Sequence, residues 1–134
     1  MNANEKAVAE VLAEYQDALN GSDTAAVMRL YADDGVFMPP YSQSAVGAAA
    51  VRQAYDAVFN AIKLSVKFSV AEVVEIAPNW VFARTNSAGT VTIHATGAKS
   101  AETNQELFIF RKATDGNWKI ARYSFSSTNP LPQN

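Results

Sequence analysis

The chain has no cysteine and only one histidine, His94. The first absence removes disulfides, a thiol nucleophile and any thiolate metal ligand. With a single imidazole and no thiolate, a zinc site lacks a donor set. A serine–histidine–acid triad would have to run through His94, and no nucleophile-elbow motif accompanies it. His94 therefore reads as a surface or dimer-contact residue. No apolar run approaches the roughly 18 residues that a membrane-spanning helix needs. Charged residues are sparse at 18%, and their balance is a net −2. That balance argues against nucleic acid or an anionic membrane as the main partner. Repeats, linkers and low-complexity segments are also missing.

What is present is a globular composition, 49% hydrophobic over 134 residues. It suffices for one domain with a real core. The opening stretch MNANEKAVAEVLAEY is amphipathic and carries Glu5, Lys6, Glu10 and Glu14. It reads as a helix and not as a signal sequence, which wants a basic start and an unbroken apolar segment. A cytoplasmic location is the default expectation.

The segment from Leu19 to Tyr41 organises the chain. Val8, Val11, Leu12, Tyr15 and Leu19 share one face of a first helix over about Asn4–Leu19. Asn20-Gly21 stops it, and Ser22 or Asp23 can cap a second helix over Thr24–Tyr31. Val27, Leu30 and Tyr31 give that helix its apolar side. Asp33-Asp34-Gly35 ends it as ordinary turn chemistry, so this acidic pair reads as structural. Val36-Phe37-Met38 is a short strand stopped by Pro39-Pro40. A third helix spans about Ala48–Ile62, with Val51, Tyr55, Val58, Phe59 and Ile62 inward. From Leu64 the period changes to two, as in a half-buried strand. A long strand from Trp80 to about Thr96 follows, with Gly89 as a candidate bulge. Glu102–Lys112 and Trp118–Ser127 complete the strands. Helices first and long strands after them imply an α+β domain, with the helices packed on one face of a curved antiparallel sheet.

Tyr15, Gly21-x-Asp23, Leu30-Tyr31-Ala32-Asp33-Asp34, Gly47 and the run from Phe110 to Tyr123 around Asp115-Gly116-Asn117-Trp118 carry a resemblance. The pattern resembles the nuclear transport factor 2-like superfamily, whose SnoaL-like and ketosteroid-isomerase-like members include isomerases and polyketide cyclases. The resemblance covers nearly the whole chain: one domain over 1–128 and a loose tail over 129–134. It implies a cone-shaped sheet with the three helices on its concave face and a pocket at the open end. It also implies a homodimer through the sheet, a small apolar or polyketide- or steroid-like ligand, and no cofactor. Because the fold hosts unrelated chemistries, function must come from the site.

Tyr15, Tyr31 and Tyr55 match a hydrogen-bonded tyrosine trio of the ketosteroid isomerases, one member of which donates to the substrate oxyanion. A phenol in a dry pocket suits that role; the other reading is that these rings are core. The two acids of the isomerase are missing. Pro39 stands at the position of the general base, and Phe108 at that of the protonated oxyanion donor. True ketosteroid isomerisation is therefore not expected. If Phe108 faces inward, alternation brings Glu106 and Phe110 inward as well. Glu106 is then a candidate general acid or base beside Tyr15. The same alignment places Arg84 and Asn86 inward with Trp80 and Phe82, where Arg84 would bind a ligand anion or pair with Glu106. A solvated sheet face is the alternative for both. Phe37, Phe59, Tyr123 and Phe125 complete the expected ligand-binding set, with Tyr41 at the rim able to cover the pocket. Two functions follow from these residues. One is a cofactor-independent isomerase, cyclase or dehydratase acting on a carbonyl compound. The other is a non-catalytic ligand-binding or association domain.

Overall fold

The first helix begins where its free N–H groups find partners. Asn2 accepts from the Glu5 amide at 2.8 Å, and Glu5 accepts in return from the Asn2 amide at 3.0 Å, a reciprocal capping box. The computed structural model describes residues 1–132. The end of the expected tail, Gln133 and Asn134, lies outside the described residues. Among these the elements are α1 (Ala3–Asn20), α2 (Thr24–Leu30), β1 (Tyr31–Met38), β2 (Ala45–Val46), α3 (Ala48–Ala61), β3 (Ile62–Ala77), β4 (Trp80–Ile93), β5 (Lys99–Lys112) and β6 (Trp118–Ser127).

The α+β reading holds, and the curved sheet has the order β2-β1-β6-β5-β4-β3. It is mixed where the sequence reading expected it to be antiparallel throughout. β3, β4, β5 and β6 meander from the far edge back to β1, and β6 arrives parallel to it. The chain leaves β1 through α3 and re-enters the sheet at the opposite edge, so the last strand returns pointing the same way as the first. β1 also starts earlier than expected. Tyr31 closes α2 and opens the strand, and Asp33-Asp34 lie within it, at a register shift between Tyr31 and Val36. Asp34 is held by both terminal nitrogens of Arg111, at 3.2 and 2.5 Å. The turn expected at this acidic pair is thus a strand, and Asp34 makes a largely exposed ion pair.

α1 does more than bury Val8, Leu12, Tyr15, Ala18 and Leu19. β3 is an edge strand, with unpaired backbone groups on its outer side. Side chains of α1 occupy them. Asn20 donates to the Val66 carbonyl at 2.8 Å and accepts from the Val66 amide at 2.9 Å. Gln16 accepts from the Phe68 amide at 2.8 Å and Glu5 from the Glu75 amide at 3.2 Å. The helix is thus tied both to the concave face and to the rim of the cone. At the other end of the chain Asn129, at the start of the expected loose tail, accepts from the Thr103 amide at 3.0 Å. Leu131 is exposed.

Gly89 is not a bulge. The pairing runs unbroken through it on both sides, to Val66 on β3 and to Glu102 on β5. Its reason is close approach: a Cβ there would overlap the Ser65 carbonyl oxygen and lie 2.7 Å from Val66 Cα. The obstacle is backbone, so no rotamer change relieves it. Gly89→Ala should therefore destabilise the fold by at least the ~1–3 kcal/mol typical of overpacking. Urea denaturation midpoints compared with wild type measure this; an unchanged midpoint would mean that β3 and β4 have slack at this close approach.

Candidate functional site

Strand alternation decides what the cone contains. On β5 the inward positions are Glu102, Asn104, Glu106, Phe108 and Phe110; all but the half-buried Glu102 are buried. On β4 the inward positions are Val81, Ala83, Thr85 and Ser87, all buried. Arg84 and Asn86 therefore face outward, against the expectation that put them in the pocket. Arg84 pairs with Glu72 of β3 across the convex face at 3.1 Å, and both side chains are largely exposed. The sequence reading took the β4 face one residue out of phase.

The neighbours of Glu106 are consequently different from those expected. Thr85 lies directly opposite it in the β4–β5 register. The Thr85 hydroxyl donates to Oε1 at 2.6 Å and the Ser87 hydroxyl to Oε2 at 2.6 Å. These are the short distances of hydroxyls on a carboxylate. Asn104 donates a long bond, 3.5 Å, to Ser87 Oγ. Burial pushes the Glu106 carboxyl above its ordinary range, and the bonds from Ser87 and Thr85 oppose that shift without cancelling it. Thr85, Ser87 and Asn104 are the residues that sequence reasoning missed. The available signal was the Thr/Ser alternation of β4, Thr85-x-Ser87, which is uncommon on a buried strand face.

A cavity of about 150 Å³ lies between this polar row and the helices. Tyr15, Tyr55, Phe37, Tyr123, Phe125 and Glu106 line it, as expected, together with Phe68, Ser87, Asn104 and Glu102. The Tyr55 hydroxyl sits 2.6 Å from that of Tyr15 and 2.7 Å from that of Tyr31. Tyr31 does not reach the cavity; it stands behind Tyr55. Phe59 and Phe108 also lie behind the lining. Phe108 is fully buried and stacks on Tyr123 at 4.0 Å between centroids. Tyr41 does not cover the pocket. It is almost fully exposed and lines an outer groove of about 470 Å³ with Pro39, Pro40 and α3. Phe37, Val58, Glu102, Asn104 and Phe125 line both spaces, so the groove and the cavity share a wall.

The Tyr55 hydroxyl thus bridges those of Tyr15 and Tyr31, and either member of each pair can donate. Tyr31 is walled off from the cavity, so Tyr15 and Tyr55 are the members of the trio that a ligand can meet. Burial raises the pKa of Tyr15, Tyr31, Tyr55 and Tyr123. All four phenols stay protonated near neutral pH and act as donors. His94 is exposed, with Nε2 3.1 Å from the Phe59 carbonyl at the end of α3. No cluster of metal-ligating side chains exists among the described residues. A larger groove of about 690 Å³ between α1, α2 and the β5–β6 hairpin shares no lining residue with the cavity.

The fold and this site define an α+β cone with an aromatic pocket that carries two acids, Glu106 inside and Glu102 toward the groove. The chain belongs to the SnoaL-like domain family, whose model matches residues 12–123. A solved structure of a ketosteroid isomerase-like protein from Erwinia carotovora atroseptica SCRI1043 is 35% identical. It covers 97% of this chain and 100% of its own, with a TM-score of 0.93. A conserved protein from Planctomyces limnophilus DSM 3776 is 24% identical over 93% of this chain and 98% of its own, with a TM-score of 0.81. A nuclear transport factor 2-like superfamily protein from Salmonella enterica serovar Typhimurium LT2 matches at 14% identity over 96% and 93%, also with a TM-score of 0.81. The last two show the fold alone. No curated protein is significantly similar in sequence.

The raised Glu106 pKa links the site to stability. The folded state keeps this proton at pH values where the unfolded chain, near the ordinary 4.5, has released it. Its contribution is therefore favourable below 4.5 and is lost as pH rises through the folded-state value. Glu102 shifts in the same direction, so the informative quantity is the difference between wild type and Glu106→Gln. That difference should move in favour of the variant as pH rises through this window, read from urea midpoints over roughly pH 4–8. A difference independent of pH would mean that Thr85 and Ser87 fully offset the burial.

Proposed function

We propose that the cone binds a small, mostly apolar carbonyl compound and that Glu106 and Tyr15 catalyse proton transfer on it without a cofactor. The observation that carries this reading is a buried carboxylate held by two hydroxyls, with no cation against it among the described residues, in the same cavity as hydrogen-bonded tyrosine hydroxyls. In the proposed step Glu106 takes a proton from the carbon beside the carbonyl. The C–H electrons move to the carbonyl oxygen, and the Tyr15 O–H stabilises the enolate. Return of the proton from Glu106 to a different carbon, or departure of a β-hydroxyl as water with a proton supplied by Glu106, completes an isomerisation or a dehydration. Isomerase, cyclase and dehydratase chemistry all begin at this enolate.

Size narrows the ligand. A cavity near 150 Å³ accepts about one six-membered ring, as an engineered apolar cavity of that volume does. A larger polyketide- or steroid-like molecule would have to run out through the groove beside Pro39 and Tyr41. With Pro39 and Phe108 in place of the two isomerase acids, the substrate is not a β,γ-unsaturated ketosteroid. Those same two residues favour the second reading, a ligand-binding or association domain without chemistry. Cyclohexanone in deuterated buffer separates the two readings. Under the catalytic reading, wild-type protein accelerates exchange of the α-protons. Glu106→Gln lowers that rate roughly 10²-fold or more, and Tyr15→Phe lowers it roughly 10–10²-fold. Exchange at the buffer rate with the ketone demonstrably bound leaves the binding reading.

The assembly belongs to the same proposal. The convex face carries Trp80 and Leu107 exposed and Phe82 and Ile109 half-buried, on neighbouring strands β4 and β5. Apolar side chains of this kind on an uncovered sheet face want a partner, and a second copy through the sheet supplies one. Light scattering at tens of micromolar (order of magnitude for a stable interface) should give the dimer mass, and Leu107→Glu should give the monomer. A wild-type monomer at that concentration would remove the dimer from the proposal. A cytoplasmic location is part of the same reading.

A further inference from the structure

Three polar side chains stand in a row on the inward face of β5, and β4 answers only two of them. Thr85 lies opposite Glu106, Ser87 opposite Asn104 and Gly89 opposite Glu102. Thr85 donates to Glu106 directly across the pair, and Ser87 meets both Asn104 and Glu106. Gly89 has no side chain to offer. Nor can the position acquire one, because the β3 backbone occupies the space a Cβ would need. β6 gives no help either. Its last pairing, Ser127, is with Asn104, one inward position short of Glu102. No hydrogen bond or ion pair among the described residues reaches the Glu102 carboxylate. The group is half-buried all the same, and that burial raises its pKa. It lines both the inner cavity and the outer groove.

A half-withdrawn carboxylate without a protein partner, in the wall that the cavity and the groove share, is costly to the protein alone. We propose that Glu102 is a ligand-contacting, specificity-determining residue. In this arrangement the site is two-ended: a single ring sits against Tyr15 and Glu106, and a hydrogen-bond-donating hydroxyl or ammonium group of the same molecule sits at the mouth against Glu102. Four residues on one strand separate the two acids, roughly 13 Å at the Cα atoms. That spacing fits a ring bearing a short polar arm better than it fits a bare ring. The inference rests on the proposed ligand-binding function of the cone and names the class of molecule that the cone would take.

Three phenols of nearly equal size test it: 4-propylphenol, whose arm ends in a methyl group, 4-(2-hydroxyethyl)phenol and tyramine. Affinities follow from titrations monitored by intrinsic fluorescence or by NMR, in wild type, Glu102→Leu and Glu102→Gln. The two probes with donor-ended arms should bind wild type roughly ten-fold tighter than 4-propylphenol, the scale of a hydrogen bond to a charged group. Glu102→Leu should erase that preference without weakening 4-propylphenol. Glu102→Gln keeps an acceptor but not a charge, so it should lose the tyramine preference and retain most of that for the hydroxyethyl probe. It also serves as the conservative variant should the leucine disturb folding. Wild type binding all three equally, or a preference that survives in both variants, overturns the role of Glu102 and leaves the cone's ligand-binding reading intact. Failure of all three to bind wild type while cyclohexanone binds also overturns the role of Glu102; failure of the ketone as well overturns the parent reading, and this inference with it.

Discussion

The register between β4 and β5 sets the character of this molecule. With Thr85 opposite Glu106, a carboxylate can lie inside an aromatic cone because each of its oxygens meets a hydroxyl at 2.6 Å. A slip of one residue would turn Arg84 and Asn86 inward and send Thr85 and Ser87 to the convex face. Glu106 would then be buried beside a guanidinium. The pocket acid would become a structural ion pair, with its pKa lowered instead of raised. The chemistry available to the cone thus depends on a pleat phase, and that phase is fixed by how Val81 and Ala83 pack into the core.

The tyrosines are organised by the helices and not by the sheet. Tyr15 comes from α1, Tyr55 from α3, and Tyr31 from the junction of α2 and β1. Three separate elements converge on one hydrogen-bond hub at the Tyr55 hydroxyl. A loss of helix docking would break this chain as well as the packing, so fold and site are coupled through one phenol. Phe37 reinforces the coupling by stacking on Tyr55 at 4.5 Å between centroids. The position that resembles the isomerase's second acid is filled by Phe108, stacked flat on Tyr123. In this chain that position backs the lining instead of offering a proton, and the acid stands two residues earlier on the same face.

Curvature ties the two halves of the site together. β3 and β4 approach at Gly89 too closely for a side chain, and α1 fastens the free edge of β3 through Glu5, Gln16 and Asn20. The same close approach excludes the side chain that would have stood opposite Glu102, so the carboxylate goes unanswered through a steric constraint between β3 and β4.

Much was legible from residue order alone. The periods of 3.6 and 2, the Asn-Gly stop, the Pro-Pro end of β1 and the Asp-Gly hairpin placed three helices ahead of a set of long strands. The resemblance carried by Tyr15, Leu30–Asp34 and the Asp115–Trp118 turn added the cone. Alternation from Phe108 also placed Glu106 inside, because on one strand a single inward residue fixes the rest. That reasoning does not cross from one strand to another. β4 alternates Trp, Phe, Arg and Asn with Val, Ala, Thr and Ser, and both sets read as plausible interiors. Only the pairing with β5 decides between them. The parallel seam between β1 and β6, the use of Gly89 as a close-approach point instead of a bulge, and the partners of both acids are likewise relations between distant segments. Sequence determined which side chains share a face; tertiary structure decided which faces meet, because pairing energy and backbone sterics act between strands that the linear pattern leaves independent.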